Sequence, residues 1–293
     1  MKLQSKKIDA FTIIITIIMV LICFATIYPI WYTIVLSFND AADAQLGGIY
    51  WWPREFSLES YSTVLTDDSI LSSFIMSLIR TVVGTVTHVF FTAMTAYAFS
   101  KKKLIGRNFF LAIGTFTMFF NGGLIPFYLL LKNINLLNTF LVFIIPTMFN
   151  FFHLIIFTSF FKGVPESLEE SAMIDGAHEL RTFVQIILPL SMPVIATIAL
   201  FQGVWHWNDF FWGIIFVNDE VLQPIATFLY RMIAESSSSQ MKMNMPGGFT
   251  ATAVNSQSIK LATMVIATAP IVFVYPFMQK YFVKGIMIGS VKG

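Results

Sequence analysis

Few side chains in this sequence have the type and spacing that chemistry needs. The four histidines, His88, His153, His178 and His206, are scattered, with no i,i+4 pair and no neighbouring cysteine to make a zinc site. His88 and His153 read as packed polar side chains inside apolar runs. The single cysteine, Cys23, also lies in an apolar run and has no partner for an internal disulfide. No G-x-x-x-x-G-K-[ST] stretch is present, so the chain has no phosphate-cradling loop of its own. No nucleophile, base or metal constellation points to an enzyme. Two ionisable groups interrupt long apolar runs, Arg80 and Asp209, and charge in such a setting usually has a function. Arg80 precedes a span's length of apolar residues, which places it at a membrane boundary where a long side chain snorkels to water. Asp209 follows Trp207-Asn208 and leads into more apolar sequence, so that argument does not dispose of it.

The densest polar group is EESAMIDGAHELRTFVQIILPL, Glu169 to Leu190, set between two greasy stretches. Pro165 suits the first turn of a helix, and Glu166 and Glu169 favour its positive N-terminal end. Gly176 then breaks or turns the chain. Beyond it Ala177, Leu180, Phe183, Val184 and Ile187 form one apolar stripe, while His178, Glu179, Arg181 and Gln185 face elsewhere. Pro189 is expected to end this second helix. The pattern describes two short helices with an elbow at Gly176, and Ser171 and Ala172 are small enough for another surface to approach. It fits a solvated loop helix resting on the membrane, and equally a docking element for a partner.

The elements that position these residues follow from composition. Of 293 residues 56% are hydrophobic and 12% charged, with 32 Phe, where soluble domains carry about 25% charged residues. This is the composition of a bilayer protein, and a net charge of +2 argues for no nucleic-acid partner. A crossing helix needs roughly 20 apolar residues. Six runs qualify, at about 11–38, 73–100, 108–131, 138–161, 191–217 and 261–280. The first is too long for a signal peptide and lacks a small-residue cleavage site, so it reads as an uncleaved span. The expected fold class is an all-α membrane protein of six transmembrane helices in a single domain, 1–293, with both termini cytoplasmic. In that orientation twelve Lys and Arg fall inside and five outside (Arg54, Lys132, Arg231, Lys242, Lys260), Arg80 being the eighteenth. The polar packet then lies in a cytoplasmic loop, 162–190, and the long outer loops are 40–72 and 218–260. In the first of these, Trp51-Trp52 stand where an interfacial aromatic belt would. In the second, Leu222, Ile225, Leu229 and Ile233 suggest an amphipathic helix, followed by a loose stretch from Ser236–Ser239 to Met245-Pro246-Gly247-Gly248.

Glu170-Ser171-Ala172, three residues, Gly176, nine residues, then Ile186-Ile187-Leu188-Pro189 resembles the EAA motif of bacterial ABC importer permeases. That motif reads E-A-A, three residues, G, nine residues, I-x-L-P; the departure is Ser171 for alanine. Trp52-Pro53 with Ser60-Tyr61, Asn121-Gly122-Gly123-Leu124-Ile125-Pro126 and Trp207-Asn208-Asp209 resemble the carbohydrate permeases of that family. The ending, Tyr281-Phe282-Val283-Lys284-Gly285 to Val291-Lys292-Gly293, is similar to the tails of its MalG-like members. Together with Asn121-Gly122-Gly123 it leans toward the LplC-like branch, which includes importers of oligosaccharides and of polysaccharides such as alginate and rhamnogalacturonan.

The resemblance implies a type I ABC importer permease fold in a bacterial (inner) cell membrane. It implies a second permease subunit, heterodimerisation, two ATP-binding subunits that hold ATP and Mg, and an extracytoplasmic solute-binding protein. It makes the first helix of the 162–190 loop a coupling helix seated on an ATPase. Glu169, Glu170, Ser171, Ala172, Asp175, Gly176, Ala177 and Pro189 are its expected coupling positions, and Gly289, Ser290, Lys292 and Gly293 an ATPase-contacting tail. Carboxylate, amide and aromatic groups suit a sugar pathway, which makes Asn121, Gly122, Trp207, Asn208 and Asp209 its candidates. Interfacial anchoring competes for the Trp207 group. Asn121-Gly122-Gly123, with Pro126 close by, is expected to unwind or kink the third run, and the bare backbone there either lines a cavity or packs closely against another helix. The alternative function is an ion-coupled secondary carrier or channel.

Overall fold

The computed structural model describes residues 9–243 and 252–290. Among these there is no strand, only an isolated bridge between Asn39 and Phe56. In chain order the helices begin with α1 (Ala10–Ser37), α2 (Ala41–Gln45), α3 (Glu59–Thr66), α4 (Asp68–Ser100) and α5 (Arg107–Phe119). They continue with α6 (Leu124–Asn133), α7 (Leu141–Ile144), α8 (Phe151–Phe161), α9 (Glu166–Ile174) and α10 (Glu179–Thr182). The last are α11 (Leu188–Leu190), α12 (Met192–Asn208), α13 (Phe211–Phe216), α14 (Ile225–Met243) and α15 (Thr252–Ser290).

Among the described residues, Ala10–Ser37, Asp68–Ser100 and Gln257–Phe277 are each long and apolar enough to cross a bilayer. Three bent pairs reach that standard together, so the crossings number up to six if each pair is one. The bends depart from straight spans for local reasons. The run at 108–131 is two helices at 116°. Phe120 there is extended, and the Asn121 side chain accepts the N–H of Gly123 at 2.8 Å to close a turn ahead of α6. Leu141–Thr147 meets Phe151–Phe161 at 51°, with Pro146 in a 3-10 turn and Asn150 capping α8 through the N–H of His153.

The expected span at 191–217 is not one helix either. Glu179–Leu190 turns through 83° at Ser191 into α12, and the chain breaks again at Asp209 before α13. Pro189 does not end the preceding helix, which runs to Leu190. A π turn at Phe183–Ile187 widens the ladder where the proline ring would meet the carbonyl four residues back. In the second long loop, Leu222 belongs to a 3-10 turn and the helix starts at Ile225, after Pro224. It continues through Ser236–Ser239 to Met243, where composition suggested a loose stretch; Met245 to Gly248 lie outside the described residues.

The chain divides into two compact units. One holds the described residues of Met1–Asp67 and Met232–Ile266. There α1 is exposed over most of its length and becomes buried only at Val35 and Ser37, where Ser37 Oγ and the Tyr61 hydroxyl lie 2.7 Å apart. Asn39 ties the following loop. Its Oδ1 accepts the N–H groups of Arg54 (2.7 Å) and Glu55 (3.0 Å), and its Nδ2 donates to Asp43 Oδ2 at 2.9 Å. Arg54 Nε donates to both Asp43 oxygens, at 2.8 and 3.0 Å.

The other unit holds the described residues of Asp68–Arg231 and Ala267–Gly293. Its axis is α4, which packs chiefly against α12 and α8. Buried positions at Ile70, Ser73, Ser77, Arg80, Gly84, His88, Thr92 and Ala96 recur every three or four residues, one stripe running most of the helix. Toward Ser100 the stripe meets an aromatic and aliphatic core of Tyr97, Leu154, Phe157, Phe161, Phe183 and Ile187. A second core, Leu131, Val142, Phe143, Ile144, Phe216 and Val217, joins α6, α7 and α13.

Candidate functional site

Two constellations stand out in the second unit, one around α9 and one buried along α4. Helix α9 starts after Pro165 with Glu166 and Glu169 in its first turn, and it ends at Ile174. Gly176 takes φ +78°, a left-handed conformation that side chains resist, and its N–H donates to Met173 O at 3.0 Å. Ala177 N–H then donates to Ala172 O at 2.9 Å, which closes the elbow. His178 caps α10 by accepting the N–H of Arg181 at 3.2 Å.

The faces of α9 differ. Ala172 is buried, and Glu169 is turned inward with its side chain 13% exposed. Its carboxylate pairs with Lys101 and accepts the Tyr97 hydroxyl at 3.4 Å. Burial pushes the Lys101 ammonium below the usual lysine pKa, against the pull of Glu179 and Glu166. Glu170, Ser171, Met173, Ile174 and Asp175 face outward, Ile174 being 86% exposed. The Ser171 hydroxyl returns to Ser167 O at 2.8 Å. Ala177 is half-buried and Pro189 exposed.

The second constellation corrects the expectation for Arg80. It does not snorkel: the side chain is 0% exposed and pairs with Asp209. Helix α4 begins at Asp68, so Arg80 lies about 18 Å inside it and on the buried stripe. Its Nη2 donates to Asp209 Oδ2 at 2.5 Å and its Nη1 to Asp209 O at 3.0 Å, with the guanidinium 4.2 Å over the Phe143 ring. Asp209 is the C-cap of α12, so the cation also meets the negative end of that helix.

One turn along α4, Gly84 leaves room for the His206 ring; a Cβ there would fall 2.2 Å from His206 Nε2. One turn further, His88 Nδ1 lies 2.7 Å from Thr147 O and its Nε2 lies 2.8 Å from His153 Nδ1. A carbonyl only accepts, so His88 Nδ1 carries its proton, and with both rings neutral His153 donates to His88 Nε2. Three of the histidines that look scattered in sequence therefore lie along one helix face beside an ion pair.

The five expected pathway residues divide. Trp207 is buried and its indole donates to Ala267 O at 2.8 Å, while the Asp209 carboxylate is committed to Arg80. Asn208 is exposed and donates to Val204 O at 3.0 Å; Asn121 bonds within its own turn, and Gly122 is exposed beside it. No hydrogen bond among the described residues joins the two groups. A groove of about 370 Å³ lies among α4, α12 and α15, lined by Thr81, Thr85, Gly203, Trp207, Pro270 and Val274. Its lining is almost wholly apolar, which suits hydrocarbon better than sugar. Of the expected tail, Gly289 and Ser290 end α15, and Lys292 and Gly293 lie outside the described residues.

The Arg80–Asp209 pair and the Lys101–Glu169 pair had no signal in sequence beyond the cost of leaving such charges alone in an apolar chain. Comparison with known proteins adds the context. Residues 67–288 match the family described as binding-protein-dependent transport system inner membrane component. The polygalacturonan/rhamnogalacturonan transport system permease protein YtcP of Bacillus subtilis (strain 168) is 40% identical over 273 residues, 93% of this chain and 94% of that protein. Protein LplC of the same organism is 44% identical over 273 residues, 92% and 90% of the two chains. A chain in the crystal structure of a bacterial ABC transporter involved in the import of the acidic polysaccharide alginate superposes with a TM-score of 0.84. It is 28% identical, and the match covers 96% of this chain and all of that one.

Proposed function

The chain belongs to the family of binding-protein-dependent transport system inner membrane components, and on that premise we propose that it is the membrane-spanning permease of an ATP-driven carbohydrate importer. It is a transport component, not an enzyme. The substrate class is an oligosaccharide or polysaccharide, and the substrates for which the YtcP relative and the alginate transporter are named favour an acidic one. The permease is one domain of six crossings in a bacterial cell membrane, with three of its crossings bent. Its 162–190 loop, termini and tail face the cytoplasm, and loops 40–72 and 218–260 meet a solute-binding protein outside. A second permease completes the pathway, and two ATPase subunits bind ATP and Mg and hydrolyse the ATP.

The observation that carries this reading is the exposed face of α9. A short capped helix presents Glu170, Met173 and Ile174 to the surroundings while its other face is tied down, and the chain beyond it turns sharply at Gly176. Exposed apolar groups on a rigid, charged helix form a surface that wants a partner. Docking by Glu170, Ser171, Asp175 and Gly176, with Ala172 and Ala177 beneath them and Pro189 closing the loop, passes ATP-driven motion to the spans. The ion-coupled alternative needs a free carboxylate in the membrane, and the one at Asp209 is paired.

The test is reconstitution with the sister permease, ATPases and binding protein, assayed for ATPase stimulation by galacturonan, alginate and neutral maltodextrin oligomers. Stimulation by an acidic oligomer, lost on Ile174→Asp without loss of folding, is the expected result. Ion-gradient-driven uptake by this chain alone would overturn it.

A further inference from the structure

The inward face of α9 carries a joint distinct from its docking face. The Lys101 ammonium lies 4.2 Å over the Tyr97 ring and pairs with Glu169, whose carboxylate also accepts the Tyr97 hydroxyl. The Tyr97 ring is itself held, 5.2 Å from Phe183 and 6.5 Å from Phe161 between ring centres. Four elements, α4, α8, α9 and the π turn, therefore meet at one partly buried node. The neighbouring Lys102–Glu166 pair, at 3.5 Å with both side chains at least 80% exposed, is of the kind that contributes little.

We infer that Tyr97, Lys101 and Glu169 lock α9 to α4 as a single mechanical body, with Glu169 a positioning residue that faces the protein and not the ATPase. The inference deepens the importer reading and rests on it for its purpose. From this node α4 runs without a proline to Arg80, about 30 Å away, where the ion pair grips the α12–α13 junction. Beyond Arg80, Ser77 Oγ accepts the N–H of Ile225, the first residue of α14, at 2.8 Å. A displacement of α9 thus arrives at the far end of the unit undiminished, provided the node holds. With the node cut, α9 swings on its Gly176 elbow and α4 stays behind.

Spin labels at Leu71→Cys and Leu168→Cys, both exposed sites and neither on the docking face, in a Cys23→Ser background measure the joint directly by pulsed dipolar spectroscopy in lipid nanodiscs. The full chain is expected to give one narrow distance. Glu169→Gln and Lys101→Met should broaden it several-fold, Tyr97→Phe less, and Lys101→Arg should leave it narrow. In the complex with its ATPases, ATP with vanadate should leave the parent distance unchanged and shift that of Glu169→Gln. Narrow distributions in Glu169→Gln and Lys101→Met overturn the joint, whatever the chain transports. ATPases that fail to bind the parent remove the importer reading instead, and the nanodisc distances still decide the joint.

Discussion

Arg80 and Asp209, 129 positions apart, form an ion pair in which the guanidinium is wholly buried and holds both the carboxylate and the main-chain carbonyl of its partner. One residue thereby closes α12, starts the approach to α13 and fixes both to α4. Removing one partner strands the other charge away from water. Asp209→Asn is therefore expected to lower stability by about 3–5 kcal/mol, and Arg80→Met/Asp209→Leu to recover much of that loss. Thermal unfolding in detergent, followed by tryptophan fluorescence, measures both. A double variant as unstable as the single one contradicts the account.

Gly84 on α4 packs directly against the His206 ring of α12. Gly84→Ala puts a methyl group 2.2 Å from the ring nitrogen, and such overpacking costs about 1–3 kcal/mol. The same unfolding assay should find Gly84→Ala/His206→Ala more stable than Gly84→Ala alone, because the second change removes the obstacle. Additive losses would place the cause elsewhere.

At Gly176 the constraint is conformational, since no atom lies within 4 Å of a built Cβ while φ is +78°. Gly176→Ala should cost roughly 1–2 kcal/mol locally, and Gly176→Asn less, because asparagine tolerates the left-handed region. Substrate-stimulated ATPase activity in the reconstituted complex should follow the same order. Equal behaviour of Ala and Asn would mean that backbone strain is not what the elbow depends on.

Acid should loosen the first long loop at Asp43. Hydrogen bonds from Asn39 and Arg54 hold its carboxyl below the usual carboxylate pKa. A depressed folded pKa gives a stabilising contribution that is complete above the ordinary carboxylate pKa and disappears as pH falls through the depressed one. Fluorescence of the nearby Trp51 and Trp52, titrated downward, should report an acid transition in that window. Asn39→Ala should move it to higher pH; an unmoved transition assigns it to another group.

Much of this was legible in the residues themselves. The apolar runs announced membrane helices, and Pro165, the early glutamates and Gly176 announced a short helix with an elbow, because capping and turn chemistry act over a few residues. Asn121-Gly122 likewise announced a break, though not its 116° angle. What escaped was pairing. His88 meets His153 across 65 positions and Lys101 meets Glu169 across 68, and no periodicity connects such residues. Arg80 was misplaced because a hydropathy run locates a charge along the helix without saying which face carries it.

The sequence by itself determined the apolar runs, the short helix and elbow at α9 and the family, since hydropathy, capping and motif spacing are properties of neighbouring residues. Only the tertiary structure decided which polar groups are engaged and which are free. A charge within an apolar interior persists only with a partner, and packing between distant helices selects that partner. So the carboxylates of Asp209 and Glu169 are engaged within their own chain, with Arg80 and Lys101.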